Sequence, residues 1–272
     1  MIKTDIADYH IHTPLCKHAS GDMASYVRQA AENGFKAIGF SDHAPVDCGY
    51  DPRHRMDVSE FSEYTEAINL LQQQNPSLQI RCGIEADIYE GFENSLLSLT
   101  HNQPVDYVIG TVHYIDGVFV FGDEASGFSK WEKRQLIRQY FKLIKAGIQS
   151  GLIDIVGHLD VIKWTLADMK PVIYENAVEI LNLMSETHHI LELNTSGLRK
   201  RPAEMYPDFT ILQMAADLRI PVCLGSDAHR PEDVGADFPP AVEMLQTLGY
   251  HKQTVFRKDL LVYMVSESPS EV

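Results

Sequence analysis

Seven apolar, strand-like runs in this 272-residue sequence each end at a side chain that can bind a metal ion or another polar group. In chain order the runs end at His10 and His12, at Asp42 and His43, at Glu85, at His113, at His158, at Asn194, and at Asp227 and His229. The C-terminal ends of the strands of a parallel barrel lie at one face, so ligands that are distant in sequence can gather there. This repetition predicts a multinuclear metallohydrolase.

Helical patterns alternate with the strand-like runs, which is typical of βα units around a parallel sheet. We expect helices at about 23–33, from about 57, and at about 92–99, 129–151, 171–187, 203–218 and 232–248. Seven strand–helix units predict one closed or nearly closed barrel domain spanning 1–272, with a frayed tail at 267–272. An open doubly wound sheet is the alternative, but its ligand sites lie at a switch point rather than around the whole rim.

The charge balance bears on the partners of this chain. Lys and Arg number 23 against 38 Asp and Glu, giving a formal net charge of −15. Because nucleic-acid binders usually carry a basic face, we expect no nucleic-acid partner. A small phosphate compound stays compatible with the acidity, since bound divalent cations reverse the charge locally.

The sequence also bears on location. No apolar run approaches the roughly 20 residues that span a bilayer, and the N-terminal residues lack the apolar stretch of a signal peptide. The four cysteines form no C-x-x-C pair, which fits a reducing compartment. We therefore expect a cytoplasmic protein without a membrane partner, and the sequence leaves its oligomeric state open.

His10 and His12 lie two residues apart at a strand end. Alternate residues of a strand point to the same side, so both imidazoles can reach one metal ion. Tyr9 and Ile11 are then expected to face the opposite side together. In the longest predicted helix, Trp131 is expected on the buried face because it lies on an apolar stripe with later residues.

Carboxylates complete the expected ligand set. Glu85 has two oxygens and can bridge two metal ions, which an imidazole cannot do. Asp227 is expected as a ligand, whereas Asp42 is expected to orient a liganding histidine or to cap a helix. Asp87 is expected to act as a cap or to be solvated. Imidazole and carboxylate ligands are compatible with zinc, iron or manganese.

The order of these motifs resembles the polymerase-and-histidinol-phosphatase (PHP) family over nearly the whole chain. The matching order is His10-x-His12, His18, Asp42-His43, Glu85, His113, His158 and Asp227-x-His229. The resemblance implies the α/β fold class, as a single distorted (β/α)7 barrel with a trinuclear metal site at the C-terminal ends of the strands. It assigns the first ion to His10, His12, Glu85 and Asp227, the second to Glu85, His113 and His158, and the third to His18, His43 and His229.

Within this family, the free-standing chain and its 193–201 segment resemble histidinol phosphatases. That resemblance implies hydrolysis of L-histidinol phosphate, a small-molecule phosphate ester, by a hydroxide that bridges two divalent ions (Zn, Mn or Fe). Arg199 is the first expected phosphate contact because its planar guanidinium matches phosphate oxygens. Lys163 and Asn194 are further expected substrate contacts, although relatives carry arginine near Lys163. The residues expected in catalysis are Glu85 and, as a leaving-group acid, Asp160.

Three alternatives are open. The same scaffold can act on another phosphate monoester, such as a nucleotide or a sugar phosphate. A non-catalytic metal-binding protein would bind ions without turnover. An amidohydrolase also has a barrel with H-x-H near its start, but such enzymes commonly use a bridging lysine after a middle strand, and this sequence has no lysine at the corresponding strand end.

Overall fold

Seven neighbouring parallel strands form most of a curled sheet in the computed structural model, which describes residues 6–103, 105–254 and 260–265. The strands are β1 (Ala7–Ile11), β2 (Ala37–Phe40), β3 (Gln79–Asp87), β4 (Tyr107–Thr111), β5 (Tyr114–Ile115), β6 (Val118–Phe119), β7 (Ile155–Val156), β8 (Ile190–Asn194), β9 (Val222–Gly225), β10 (Tyr250–Thr254) and β11 (Leu261–Val265). The order in the sheet is β1-β2-β3-β4-β7-β8-β9-β11-β10, and β5 pairs with β6 in a separate hairpin. The strands from β1 to β9 in that order are parallel, and β11 and β10 continue the sheet antiparallel.

Helices alternate with the parallel strands, so the predicted α/β class is confirmed. They are α1 (Met23–Glu32), α2 (Phe61–Gln74), α3 (Phe92–Asn102), α4 (Lys130–Ser150), α5 (Lys163–Leu166), α6 (Lys170–Thr187), α7 (Phe209–Asp217) and α8 (Phe238–Thr247). None of the helices in the described part of the chain combines the length and apolarity needed to cross a bilayer. The predicted tail at 267–272 lies outside the described residues.

Capping side chains explain where the helices begin. The Asp22 carboxylate accepts from the backbone N–H of Ser25 at 2.7 Å and opens α1. Ser129 and Glu132 form a capping box at the start of α4, which satisfies two backbone donors. The helix predicted from 203 begins only at Phe209, because two X-Pro steps precede it and Asp208 caps its first turn.

One predicted buried position in α4 is wrong. Trp131 is 68% exposed, whereas Leu136, Tyr140 and Ile144 of the same helix are buried. Trp131 lies in the first turn, inside the capping box that Ser129 opens, and its side chain faces solvent. The buried apolar stripe therefore starts a turn later than the sequence pattern indicates.

The curled sheet brings its first strand beside the end of its last parallel strand. The His12 backbone N–H donates to the carbonyl of Ala228 at 2.9 Å, and the Ala228 N–H donates to the carbonyl of His10 at 3.2 Å. The buried Asp8 carboxylate accepts from the backbone N–H groups of Ser226 and Gly235, both at 2.9 Å. These bonds join β1 to the segment that follows β9, on the side where the parallel strands end.

Two buried apolar clusters flank the sheet. The larger contains Ile11 and the inward faces of the helices, and the smaller contains Tyr9, Tyr107 and Val262 of β11. The prediction that Tyr9 and Ile11 share one side is wrong. The β1–β2 register is irregular between Asp8 and Ile11, which interrupts the strict alternation of the strand.

Tyr107 of β4 lies across Gly83 of the neighbouring β3 and Gly39 of β2, one strand further along the sheet. A Cβ at Gly83 would lie 2.5 and 2.7 Å from ring carbons of Tyr107, and a Cβ at Gly39 would lie 2.8 Å from Cζ. The Tyr107 hydroxyl donates to the backbone carbonyl of Tyr9 at 2.7 Å, which holds the ring in place. The ring thus fills the space that the two glycines leave.

Replacing Gly83 by alanine is expected to lower the free energy of unfolding by about 2 kcal/mol, because the added methyl group overpacks against a fixed ring. Urea unfolding followed by circular dichroism measures the change. Gly127→Ala is the control, since a Cβ there meets nothing within 4 Å and the position is exposed. Equal stability of the two variants would contradict the packing role of Tyr107.

Candidate metal centre

Glu85 is buried near the C-terminal end of β3, and its Oε1 faces histidines that follow the next two strands of the sheet. His158 Nε2 lies 3.0 Å from this oxygen, and His113 Nε2 lies 3.6 Å from it. His158 comes shortly after β7, and His113 follows β4. One oxygen of the carboxylate is therefore shared by two imidazoles from different strands.

The other carboxylate oxygen, Oε2, faces the first two strands. His43 Nδ1 lies 2.9 Å from it, and the Nε2 atoms of His10 and His12 each lie 3.5 Å from it. His12 Nε2 also lies 3.2 Å from Oδ1 of Asp227. The two oxygens of Glu85 thus face separate groups of side chains, an arrangement suited to a carboxylate shared by two ions.

The remaining two predicted ligands lie beside this cluster. His18 Nε2 and His229 Nε2 are 2.9 Å apart. The Nδ1 atom of each ring contacts a backbone carbonyl, that of Cys16 for His18 and that of Asp227 for His229. Ligand atoms of His18, His43 and His229 lie within 4.8 Å of one another. The structure therefore brings all nine predicted ligands into one region.

Several polar atoms at the centre lack a hydrogen-bond partner, which is unusual for buried groups. Those that face the centre are His10 Nε2, His43 Nδ1 and Glu85 Oε2; His158 Nδ1, on the side of its ring away from Glu85, is also unpartnered. His43 Nδ1 lies 2.9 Å from Glu85 Oε2, yet neither atom has a hydrogen-bond partner. A divalent cation would satisfy inward-facing nitrogen and oxygen atoms of this kind, so the donor set fits a metal centre.

The electrostatics favour the ligand forms of the two carboxylates and of His43, whereas the nearby acidic groups raise the pKa of His10, His12 and His113 despite their burial. Burial alone would raise the pKa of Glu85, but His43, His10 and His113 hold it well below its ordinary value. Burial would likewise raise the pKa of Asp227, and the nearby Lys200 helps to hold it well below the ordinary value. Burial lowers the pKa of His43 to about 4, which leaves the neutral imidazole that binds metals.

A second set of carboxylates contacts the histidine ring nitrogens that face away from Glu85. Asp87 accepts from Nδ1 of His113 at 2.8 Å and from Nη2 of Arg55 at 2.7 Å. The expectation that Asp87 is a cap or solvated is wrong, because the β3–β4 pairing buries it. Asp42 contacts Nδ1 of His12 at 3.4 Å, which supports its expected orienting role.

Glu192 contacts two of the predicted ligands, and the strand-end pattern missed it. Its Oε1 lies 2.5 Å from Nδ1 of His10, and its Oε2 accepts from the backbone N–H of His158 at 2.7 Å. Such contacts fix the orientation of a liganding imidazole. The available signal was a lone charged residue inside the apolar run that ends at Asn194.

A cavity of about 570 Å³ opens onto the centre. Its lining combines predicted ligands with cationic, acidic and aromatic side chains. The lining residues outside the predicted ligand set are Asp51, His54, Phe119, Phe121, Trp164, Arg199, Lys200, Arg230 and Asp233. A cavity of this size accommodates a small molecule.

Arg199 reaches the cavity as expected, and Lys200 joins it. Arg199 Nη1 donates to Asp237 at 2.9 Å, and its Nη2 donates to the carbonyl of Ser226 at 2.6 Å. Lys200 Nζ lies 3.2 Å from Oδ2 of Asp227, next to the ligand cluster. Lys200 was missed by the sequence reasoning, although it directly follows Arg199.

The structure does not bring Lys163 or Asp160 to the cavity wall. Both are buried, and Lys163 Nζ donates to Asp160 at 2.8 Å and to the carbonyl of Met205 at 2.6 Å. Asn194 is also buried and accepts from the backbone N–H of Ser196. Their expected roles in substrate binding and catalysis stay predictions, and these contacts favour a structural role.

Known proteins with sequences similar to this chain carry a common name. A "Probable histidinol-phosphatase" of Deinococcus radiodurans is 37% identical over 251 residues, which are 90% of this chain and 95% of that protein. A "Histidinol-phosphatase" of Bacillus subtilis is 29% identical over 262 residues, covering 87% of this chain and 98% of that protein.

The fold also matches a solved structure. The histidinol phosphate phosphatase of Lactococcus lactis, solved as a complex with zinc, L-histidinol and phosphate, has a TM-score of 0.78 and 22% identity, covering 95% of this chain and 99% of that one. A family model described as "PHP domain" matches residues 8–196, more than half of the chain. The chain therefore belongs to the PHP domain family.

Proposed function

We propose that this chain is a metal-dependent phosphatase that hydrolyses L-histidinol phosphate to L-histidinol and inorganic phosphate. The observation that carries the proposal is the buried Glu85 carboxylate, whose two oxygens face separate histidine groups at the floor of a cavity that also holds Arg199 and Lys200. The names of the similar proteins support the substrate, and the family supports the reaction class.

Three divalent ions are part of this proposal. Ligand atoms of His10, His12 and Asp227 lie close together, as do those of His18, His43 and His229, while His113 and His158 face Oε1 of Glu85. When bound, such ions lower the pKa of water and neutralise charge on the phosphoryl oxygens. The zinc complex of the Lactococcus lactis phosphatase supports zinc as the ion.

The chain itself supplies the phosphate contacts. Arg199 is held by Asp237 and by the Ser226 carbonyl, so its guanidinium is oriented before a ligand arrives. A planar guanidinium makes two parallel hydrogen bonds to phosphate oxygens. Lys200 adds a second cation at the ligand cluster, and its Nζ lies 5.4 Å from the ring centroid of Phe121, which also lines the cavity.

The finer description of the fold is also a proposal. The seven parallel strands and the bonds between β1 and the segment after β9 support a distorted (β/α)7 barrel with its metal site at the C-terminal ends of the strands. The four free cysteines support a reducing, cytoplasmic location.

Phosphate release from L-histidinol phosphate, compared with a panel of nucleotide and sugar phosphates, tests the function. The enzyme is reconstituted with zinc, manganese or iron, and we expect a strong preference for L-histidinol phosphate that a chelator abolishes. A preference for another phosphate monoester would keep the metal centre but overturn the substrate. No release from any phosphate would overturn the reaction class.

Glu85→Gln is expected to lose metal from two sites and to lower turnover by at least about 100-fold, because the neutral amide cannot hold two ions. Elemental analysis of the purified protein measures the metal content, and circular dichroism checks that the fold persists. The matched control is Glu243→Gln, on α8 and away from the cavity lining. Full metal content with normal turnover would refute the bridging assignment.

Arg199→Ala is expected to lower kcat/KM for L-histidinol phosphate by about 10- to 100-fold, since it removes charge-assisted hydrogen bonds to the phosphate. Steady-state kinetics measure the change. Arg134→Ala on the outer face of α4 is the control, because that side chain is 46% exposed and lies 3.9 Å from the carboxylate of Glu175. An unchanged kcat/KM would indicate that Lys200, rather than Arg199, contacts the phosphate.

A further inference from the structure

A histidine–aspartate pair lies at the cavity wall beyond the predicted ligands. His54 Nδ1 lies 2.8 and 3.0 Å from the two carboxylate oxygens of Asp51, and both residues line the cavity. The His54 side chain is 41% exposed, whereas that of Asp51 is 10% exposed. Within the described part of the chain, Nδ1 is the bonded nitrogen of this ring, so Nε2 is the nitrogen that a ligand can reach.

The backbone around this pair is strained and held in place. Asp51 has φ of +42°, a left-handed conformation that is unfavourable for a residue with a side chain. Its carbonyl accepts from Nε of Arg55 at 3.1 Å, and Arg55 Nη1 donates to the carbonyl of Ala44 at 2.9 Å. Strained backbone conformations that neighbouring bonds hold in place occur often at functional sites. The segment therefore presents His54 in one orientation.

An aromatic wall faces the pair. The ring of Phe119 is parallel to that of His54 within 4°, with centroids 6.5 Å apart. Phe121 lies 5.6 Å from Phe119 and 5.4 Å from Trp164, and all three line the same cavity. Flat apolar faces of this kind pack against a planar ring.

The cations of the cavity come from other parts of the fold. Arg199 and Lys200 follow β8, and Arg230 follows β9, whereas Asp51 and His54 follow β2 and Phe119 belongs to the hairpin after β4. The lining thus offers cations that can contact phosphate together with aromatic faces and one oriented ring nitrogen.

We propose that His54, positioned by Asp51, determines specificity by hydrogen bonding the nitrogen-bearing ring of the substrate while Phe119 packs against that ring. The inference rests on the function proposed above and adds the subsite that distinguishes L-histidinol phosphate from ring-free phosphates. An imidazole suits the subsite because it is flat and carries both a donor and an acceptor nitrogen. An alkyl phosphate has neither feature.

The test compares two substrates of the zinc-reconstituted full chain. L-histidinol phosphate carries a ring, an amine and a phosphate, whereas ethanolamine phosphate carries only the amine and the phosphate. In His54→Ala, the ratio of their kcat/KM values is expected to fall at least about tenfold, which corresponds to one lost hydrogen bond to a polar partner. The dissociation constant for L-histidinol, measured by calorimetry, is expected to rise by a similar factor.

Two further variants distinguish a role in substrate specificity from a purely structural role. Asp51→Asn is expected to shift the ratio in the same direction but less, because the ring is kept and only its orientation is weakened. Phe119→Leu keeps an apolar side chain and is expected to weaken L-histidinol binding about threefold. His101→Ala on the exposed face of α3 is the matched control.

Each other outcome overturns the inference in a distinguishable way. If both substrates lose kcat/KM equally and L-histidinol binding is unchanged, His54 serves phosphoryl transfer in general rather than recognition of the ring. If the ratio and the dissociation constant stay at wild-type values, His54 has no role in recognition. If the wild-type enzyme itself does not prefer L-histidinol phosphate, the proposed function fails together with this subsite.

Discussion

The site depends on one buried carboxylate that imidazoles approach from several strands. Five histidine ring nitrogens lie 2.9 to 3.6 Å from the two oxygens of Glu85. A carboxylate removed from water is costly unless nearby charges or hydrogen bonds stabilise it. The histidines provide that stabilisation only if the parallel strands end on the same side of the curled sheet. The chemistry of the centre therefore requires this topology of the sheet.

The sheet meets this constraint through its closure and its packing. Bonds from β1 to Ala228 and from Asp8 to the segment after β9 join the first and last parallel strands on the ligand side. Away from the ligands, Tyr107 occupies the space above Gly39 and Gly83, and β11 adds apolar side chains to the same cluster. Strands packed around a solid interior change position little, so the ligand atoms are held close together before an ion binds.

Orientation of the imidazoles needs a second layer of acids. Glu192, Asp42 and Asp87 each contact the ring nitrogen of a histidine that is turned away from Glu85. The partners of these contacts are 182, 30 and 26 residues apart in the sequence. Because each acid fixes one nitrogen, the other nitrogen of the same ring is directed at the centre. The acidic net charge of the chain thus includes groups that are buried at its functional core.

The sequence by itself determined the α/β class, the order of strands and helices, and the set of strand-end side chains that meet, because a parallel sheet converts a local strand-end position into proximity. The tertiary structure alone decided which side chains support them. Asp87 lies two residues after Glu85, yet the pairing of β3 with β4 decides that it holds His113 rather than facing solvent. Lys163 and Lys200 are both cations after strands, but only the folded chain buries the first against an aspartate and puts the second in the cavity. Sequence spacing does not encode which distant surfaces meet, so these contacts have no local signal.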